Sequence, residues 1–194
     1  MLDLTTDPFT LFRAWLAEAA TWEPAVHDAV ALATVDDRGS PSVRMVLLKA
    51  LDDRGFVIYT HLSSPKGRQM TRNPRAALCF HWKSLRRQVR AEGDVEAVAD
   101  EVADAYFATR PRDSQLGAWA SRQSEPLASR AELVERVRTM GERFPGPVPR
   151  PPSWGGFRLV PERLEFWVDG EHRLHHRAEF RRIADGWHAT LLHP

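Results

Sequence analysis

Tyr106, Arg110 and Ser114 stand four residues apart. On a helix Tyr106 and Arg110 share a face, and Ser114 falls one turn on if the chain stays roughly helical past Pro111. A phenol, a guanidinium and a hydroxyl all donate hydrogen bonds, so the three can cradle a phosphate. Surface polar residues at helical spacing give the same pattern. In Arg44-Met-Val-Leu-Leu-Lys49, period two puts Arg44 and Lys49 on opposite faces of a strand. They could contact two different anionic groups, or be the charged ends of an ordinary strand. Arg86, Gln88 and Arg90 fall on one strand face, and so do Arg173, His175 and Arg177. The first set reads as a solvated strand face; in the second, three cationic or titratable groups repel each other unless an anion or carboxylate sits beside them. An anionic ligand is the economical explanation, and a solvated edge strand is the other.

The elements that must position these residues are mostly strands. Asp7-Pro8 is a helix start, and Phe9, Leu11, Phe12, Trp15, Leu16 and Ala19 recur at helical spacing to about Thr21. Three strands follow at 30–35, 42–50 and 56–60, joined by the acidic-Gly turns at 36–39 and 52–55. They suggest an antiparallel meander. A short helix at 64–71 stops before Asn73-Pro74. Strands are expected at 76–82 and 88–97, and helices at 99–109 and 129–143. Small residues, one Trp and a polar run make 117–124 read as a loop. Residues 145–152 hold five prolines and form an extended connector. Closing strands are expected at 157–160, 163–168, 173–180 and 187–192. The sum is mainly β with peripheral helices, an all-β core closed as a barrel. One domain is expected over 1–194, with a short tail at 1–7.

Composition narrows the function. The 194 residues are 43% hydrophobic with a net charge of +1, so no global field draws the chain to nucleic acid or an anionic membrane. No apolar run approaches the roughly 20 residues of a membrane span, and the N-terminus lacks a signal-peptide pattern. The single cysteine, Cys79, fits a reducing compartment and reads as a packed thiol. A cytoplasmic protein is expected. His172, His175 and His176 match no standard zinc spacing, so no metal is expected. Dinucleotide, P-loop and nucleophile-elbow motifs are missing.

Taken jointly, the ordered segments resemble the pyridoxine/pyridoxamine 5′-phosphate oxidase family. They are Arg44–Lys49, Tyr59-Thr60, Asn73–Ala77, Arg87–Val89, Tyr106–Pro111, Ser114–Trp119, Ser121–Ser124, Trp154–Gly156, Glu165–Trp167 and Arg173–His175, and they span nearly the whole chain from Pro8. The resemblance implies a split β-barrel homodimer with FMN at the subunit interface. It implies oxidation of the C4′ carbon of pyridoxine or pyridoxamine 5′-phosphate to the aldehyde, with O2 reduced to peroxide. By motif match, Arg44, Tyr59, Thr60, Lys66, Gln88, Gln123, Ser124, Trp167 and Arg177 would hold FMN. Lys49, Tyr106, Arg110 and Ser114 would hold the substrate phosphate, and Arg173 and His175 would lie over the pyridine ring as the catalytic pair.

The sequence also departs from the family pattern. Seven residues precede Pro8, so the family's N-terminal arm is expected to be missing. Pro65 stands where many members carry a second cation before Lys66. Val168-Asp169 replaces Gln-Gly, His176 replaces an Asp, and Leu191 stands where an Arg is common. These changes keep two alternatives in view. One is a flavin oxidase of the same fold acting on another small molecule, such as a phenazine-type precursor. The other is a non-catalytic FMN- or pyridoxal-phosphate-binding protein.

Overall fold

The computed structural model describes residues 3–194, so Met1 and Leu2 of the expected tail lie outside the described residues. The first helix, α1 (Pro8–Trp22), starts where expected: the Asp7 carboxylate accepts from the Thr10 N–H at 2.8 Å, and Pro8 occupies the first helical position. Its apolar face buries Phe9, Phe12, Trp15 and Ala19. Each large side chain contributes about 1.5–3 kcal/mol of transfer free energy. Phe12 meets Phe80 and Phe56 edge-on at 4.8 and 4.9 Å, which anchors the helix over the sheet.

The strands are β1 (Ala29–Val35), β2 (Pro41–Leu47), β3 (Ala50–Leu51), β4 (Phe56–His61), β5 (Arg75–Trp82), β6 (Arg87–Ala97), β7 (Trp154–Val168), β8 (His176–Ile183) and β9 (Gly186–Leu191). They form one antiparallel sheet in the order β2-β1-β5-β6-β7-β4-β3, with β8 and β9 continuing from β7. The sheet curls into a half-barrel, mainly β, with five α-helices around it among the described residues.

The expected meander is corrected. β1 and β2 do form a hairpin, and Gly39 takes φ +83° in its turn. However, β4 pairs with β7 and the short β3, not with β2. The run 42–50 is not one strand. It breaks after Leu47, where Leu48 is buried and its N–H turns to the Asp28 carbonyl at 2.8 Å. Lys49 is therefore past the end of β2, and its face cannot be counted by alternation from Arg44.

The strands expected at 157–160 and 163–168 are one strand, β7. Its first half pairs β4 and its second half pairs β8, while β6 runs along both. The sequence divides it at Pro161, which sits at a bulge where Gly93 faces Pro161 and Glu92 faces Arg163. A Cβ on Gly93 would lie 2.1 Å from the Val160 carbonyl oxygen.

Helix α2 (Pro65–Arg72) is capped by Ser64, whose hydroxyl accepts from the Gly67 N–H and donates to the His61 carbonyl at 2.7 Å. Beyond β6, α3 (Asp100–Thr109) ends at Arg110, whose ψ of 146° turns the chain. A separate helix, α4 (Arg112–Ala120), then begins, so 117–120 are helical and not loop. Helix α5 (Arg130–Arg143) is capped by Ser129. The proline-rich run after it is tied down by side chains. The Trp119 Nε1–H donates to the Pro149 carbonyl at 2.7 Å, and Arg112 donates to the Gly146 carbonyl at 2.6 Å.

The region 173–180 is corrected too. Glu171–Arg173 form a single 3-10 turn with positive φ at His172 (54°) and Arg173 (65°), and β8 starts only at His176. Strand alternation does not hold before that point.

Candidate active site

A cleft of about 490 Å³ opens where the start of β7 meets β4, α3 and α4. Lys49, Tyr59, Thr60, Lys66, Tyr106, Arg110, Ser114 and Gln123 line it, eight of the site residues expected from sequence. The break between α3 and α4 does not separate Tyr106, Arg110 and Ser114. The turn at Arg110 folds α4 back so that all three still face one space.

Aromatic stacking sets one wall. The Tyr59 and Tyr106 rings stack at 4.1 Å and 10°, and Tyr59 stacks on Trp154 at 5.2 Å and 2°. The Arg110 guanidinium lies over Trp154 at 4.9 Å and Phe107 at 5.3 Å. That wall rests on a small core of Phe107, Leu116, Ala118, Val148 and Trp154.

The opposite side is a polar knot. The Lys66 ammonium donates to the Gln123 side-chain oxygen at 2.8 Å and to the Thr60 hydroxyl at 3.2 Å, and that hydroxyl donates to Gln123 at 2.9 Å. The α2 cap places Lys66 in the helix's first turn.

The electrostatics are one-sided. No Asp or Glu lines the cleft. Lys49 is paired with Asp28 at 2.8 Å, but Lys66 holds only neutral oxygens, and Arg110 Nη1 is buried without a partner. Burial lowers the Lys66 pKa, with Arg44 adding to the effect, and burial also works against the charge on Arg110. Half-buried cations without counter-charges carry a desolvation cost that an anion would offset. The cleft is thus chemically suited to phosphate groups. Arg44 stands just outside the lining and donates to the Thr34 hydroxyl at 2.6 Å and the Leu32 carbonyl at 3.1 Å. Ser124, with φ +70°, lines an adjoining crevice.

The remaining expected residues lie elsewhere. Gln88, Trp167 and Arg177 sit side by side on β6, β7 and β8. The His175 ring packs against Trp167 at 4.7 Å, and Arg173 is exposed in the adjoining turn. Trp154 and Trp167 are thirteen residues apart on β7, roughly 40 Å of strand at about 3.3 Å per residue. Within one protomer the two groups do not meet.

The second group also corrects two readings. Arg173, His175 and Arg177 do not share a strand face, and carboxylates already serve two of them. Glu165, 3% exposed, binds Arg177 at 2.9 Å and also Arg90, and Asp169 approaches His175 at 3.0 Å. Burial acts to raise the Glu165 pKa, but Arg177 and Arg90 outweigh it and hold it low. No external anion is needed there. Arg86 is also off the face of Gln88 and Arg90. It precedes β6 with φ +52° and binds Asp169.

His61 lines the cleft although the sequence does not single it out, and Trp154, quoted only within the Trp154–Gly156 segment, lines it too. The available signal for His61 was its place at the end of the Tyr59-Thr60 strand, just before the Ser64 cap. Burial lowers its pKa, and Lys66 and Arg110 lower it further. Among the described residues, no helix is long and apolar enough to cross a membrane.

Comparison with known proteins identifies the family. The family profile described as pyridoxamine 5′-phosphate oxidase matches residues 17–143. A second, described as the pyridoxine 5′-phosphate oxidase C-terminal dimerisation region, matches residues 154–194. A pyridoxine/pyridoxamine 5′-phosphate oxidase of Gluconobacter oxydans is 54% identical, covering 100% of this chain and 98% of the relative. One from Nitrobacter winogradskyi is 56% identical over 97% of this chain and 90% of its own length. The crystal structure of PhzG from Burkholderia lata 383, in complex with tetrahydrophenazine-1-carboxylic acid, superposes with a TM-score of 0.91 at 31% identity, covering 99% and 95% of the two chains. The chain belongs to the pyridoxamine 5′-phosphate oxidase family, a family of oxidoreductases.

Proposed function

We propose that this chain is a single-domain, homodimeric, FMN-dependent oxidase that converts pyridoxine or pyridoxamine 5′-phosphate to pyridoxal 5′-phosphate, with O2 reduced to H2O2. The observation that carries the reading is the cleft itself. Arg110 Nη1 is buried without a partner, Lys66 holds only neutral oxygens, and no carboxylate pairs with either. Two phosphates, one from FMN and one from the substrate, would answer both cations.

Arg44, Tyr59, Thr60, Lys66, Gln123 and Ser124 of one protomer would hold FMN together with Gln88, Trp167 and Arg177 of the second. The roughly 40 Å of β7 between the two groups calls for a second copy, and the dimerisation region spans the β7–β9 segment that bears Trp167 and Arg177. Lys49, Tyr106, Arg110 and Ser114 would bind the substrate phosphate. Arg173 and His175 of the second protomer would lie over the pyridine ring and orient C4′. The electron-accepting chemistry is that of FMN when bound. The side chains would supply position and charge, and the Tyr59–Tyr106–Trp154 stack forms one wall of the site.

A second reading rests on one observation, the 0.91 superposition on a protein holding a phenazine-type ligand. The higher identity to B6-phosphate oxidases favours the first. An oxygen electrode decides between them. The proposal expects about one O2 consumed per pyridoxal phosphate formed from either phosphorylated vitamer. Oxygen uptake with tetrahydrophenazine-1-carboxylic acid alone would move the chain to the second reading.

A further inference from the structure

His175 Nδ1 has two neighbours. Asp169 Oδ1 lies at 3.0 Å, and the Gly170 backbone N–H at 3.2 Å. One protonation state cannot satisfy both. The N–H of Gly170 needs a lone pair on Nδ1, whereas the carboxylate needs a proton there. The carboxylate offers the stronger, charge-assisted bond.

The surrounding turn is built to present that carboxylate. Arg86 binds Oδ2 through Nε at 2.8 Å and also through Nη2, and the Asp169 N–H donates to the Arg86 carbonyl at 3.0 Å. The two oxygens are thereby divided, one to Arg86 and one to His175. Arg86, His172 and Arg173 are three of the four non-glycine residues with positive φ among those described. Left-handed backbone at such residues is strained and persists where surrounding contacts hold it. Trp167 packs against the ring from the strand side.

We infer that Asp169, held by Arg86, is a positioning residue for His175. It fixes the neutral ring with its proton on Nδ1, and so leaves Nε2 as the bare nitrogen, free to accept a hydrogen bond or a proton. The consequence for catalysis rests on the proposed place of His175 over the substrate ring. The assignment of Asp169 itself does not.

The test is 15N NMR of the imidazoles in the FMN-loaded full chain, with the His175 signals identified by their loss in His175→Gln. In the unsubstituted protein His175 should carry its proton on Nδ1. A proton on Nε2, with Nδ1 accepting from Gly170, would overturn the inference with no variant needed. In Asp169→Ala the ring should shift toward the Nε2–H form, and an unchanged ring would overturn it equally. Turnover separates the two levels. With His175 in its proposed place, Asp169→Ala lowers kcat by about tenfold or more and leaves KM for the phosphorylated substrate within about twofold. A tautomer shift with unchanged kcat would uphold Asp169 as the positioning group and remove His175 from the reaction.

Discussion

The Lys66 ammonium lies 2.8 Å from the Gln123 side-chain oxygen, although 57 residues of chain separate them. The contact joins the first turn of α2 to the segment after α4 and leaves the lysine without a counter-charge. If FMN phosphate completes this pair, Lys66→Met removes a charge-assisted contact of about 1.5–3 kcal/mol. FMN binding should weaken by about 10- to 100-fold, and riboflavin, which lacks the phosphate, should lose far less. Equal losses for the two flavins, read by quenching of flavin fluorescence, would take Lys66 away from the phosphate.

Arg110 carries the matching prediction for the substrate. Its Nη1 is buried without a partner and its guanidinium lies over Trp154 at 4.9 Å. Arg110→Ala should raise KM for pyridoxine phosphate by about tenfold or more while FMN is retained. Steady-state kinetics at saturating FMN checks this, and an unchanged KM would exclude Arg110 from the cradle.

The separation of the two residue groups along β7 gives a test of the shared site. Arg110→Ala and Arg173→Ala, assayed at substrate well below KM so that each alone retains little activity, are unfolded and refolded together. About half the dimers are then mixed, and each mixed dimer has one intact site, so activity should recover to about a quarter of the unsubstituted level. A mixture no more active than the mean of its parents would mean that both residues serve the same protomer's site.

His61 makes stability depend on pH. Burial, with Lys66 and Arg110, holds its folded-state pKa below the ordinary 6.5. The fold therefore favours the neutral ring. That contribution is fully present above the unfolded value and is lost as pH falls below about 6.5. Thermal melting from about pH 7.5 down to 5 should show a declining Tm, and His61→Asn should flatten part of the decline. Parallel curves for the two proteins would show that His61 does not titrate differently on folding.

Much of this fold is written locally. Asp7-Pro8, Ser64-Pro65 and Ser129 each sit at the helix start they signal, because a cap depends on a side chain and a backbone group three residues away. The pairing of β4 with β7 spans about a hundred residues, and nothing in either strand names the other. Alternation fails at Leu48 and before His176, where a buried leucine and the left-handed His172 and Arg173 end the extended backbone. Helix spacing points to Tyr106, Arg110 and Ser114, while Tyr59, Thr60, Lys66 and Gln123 are legible only through the family resemblance. His61 and Asp169 are not legible, since each acts through neighbours distant in sequence, Arg110 for one and Arg86 for the other.

The most direct test of the central claim is anaerobic. The FMN-loaded protein is mixed with pyridoxine 5′-phosphate, and separately with pyridoxamine 5′-phosphate, while the flavin's visible absorption is followed. The account predicts bleaching with each substrate, recovery of the yellow colour on admitting air, and pyridoxal phosphate in the product. A flavin that stays yellow with both would contradict it.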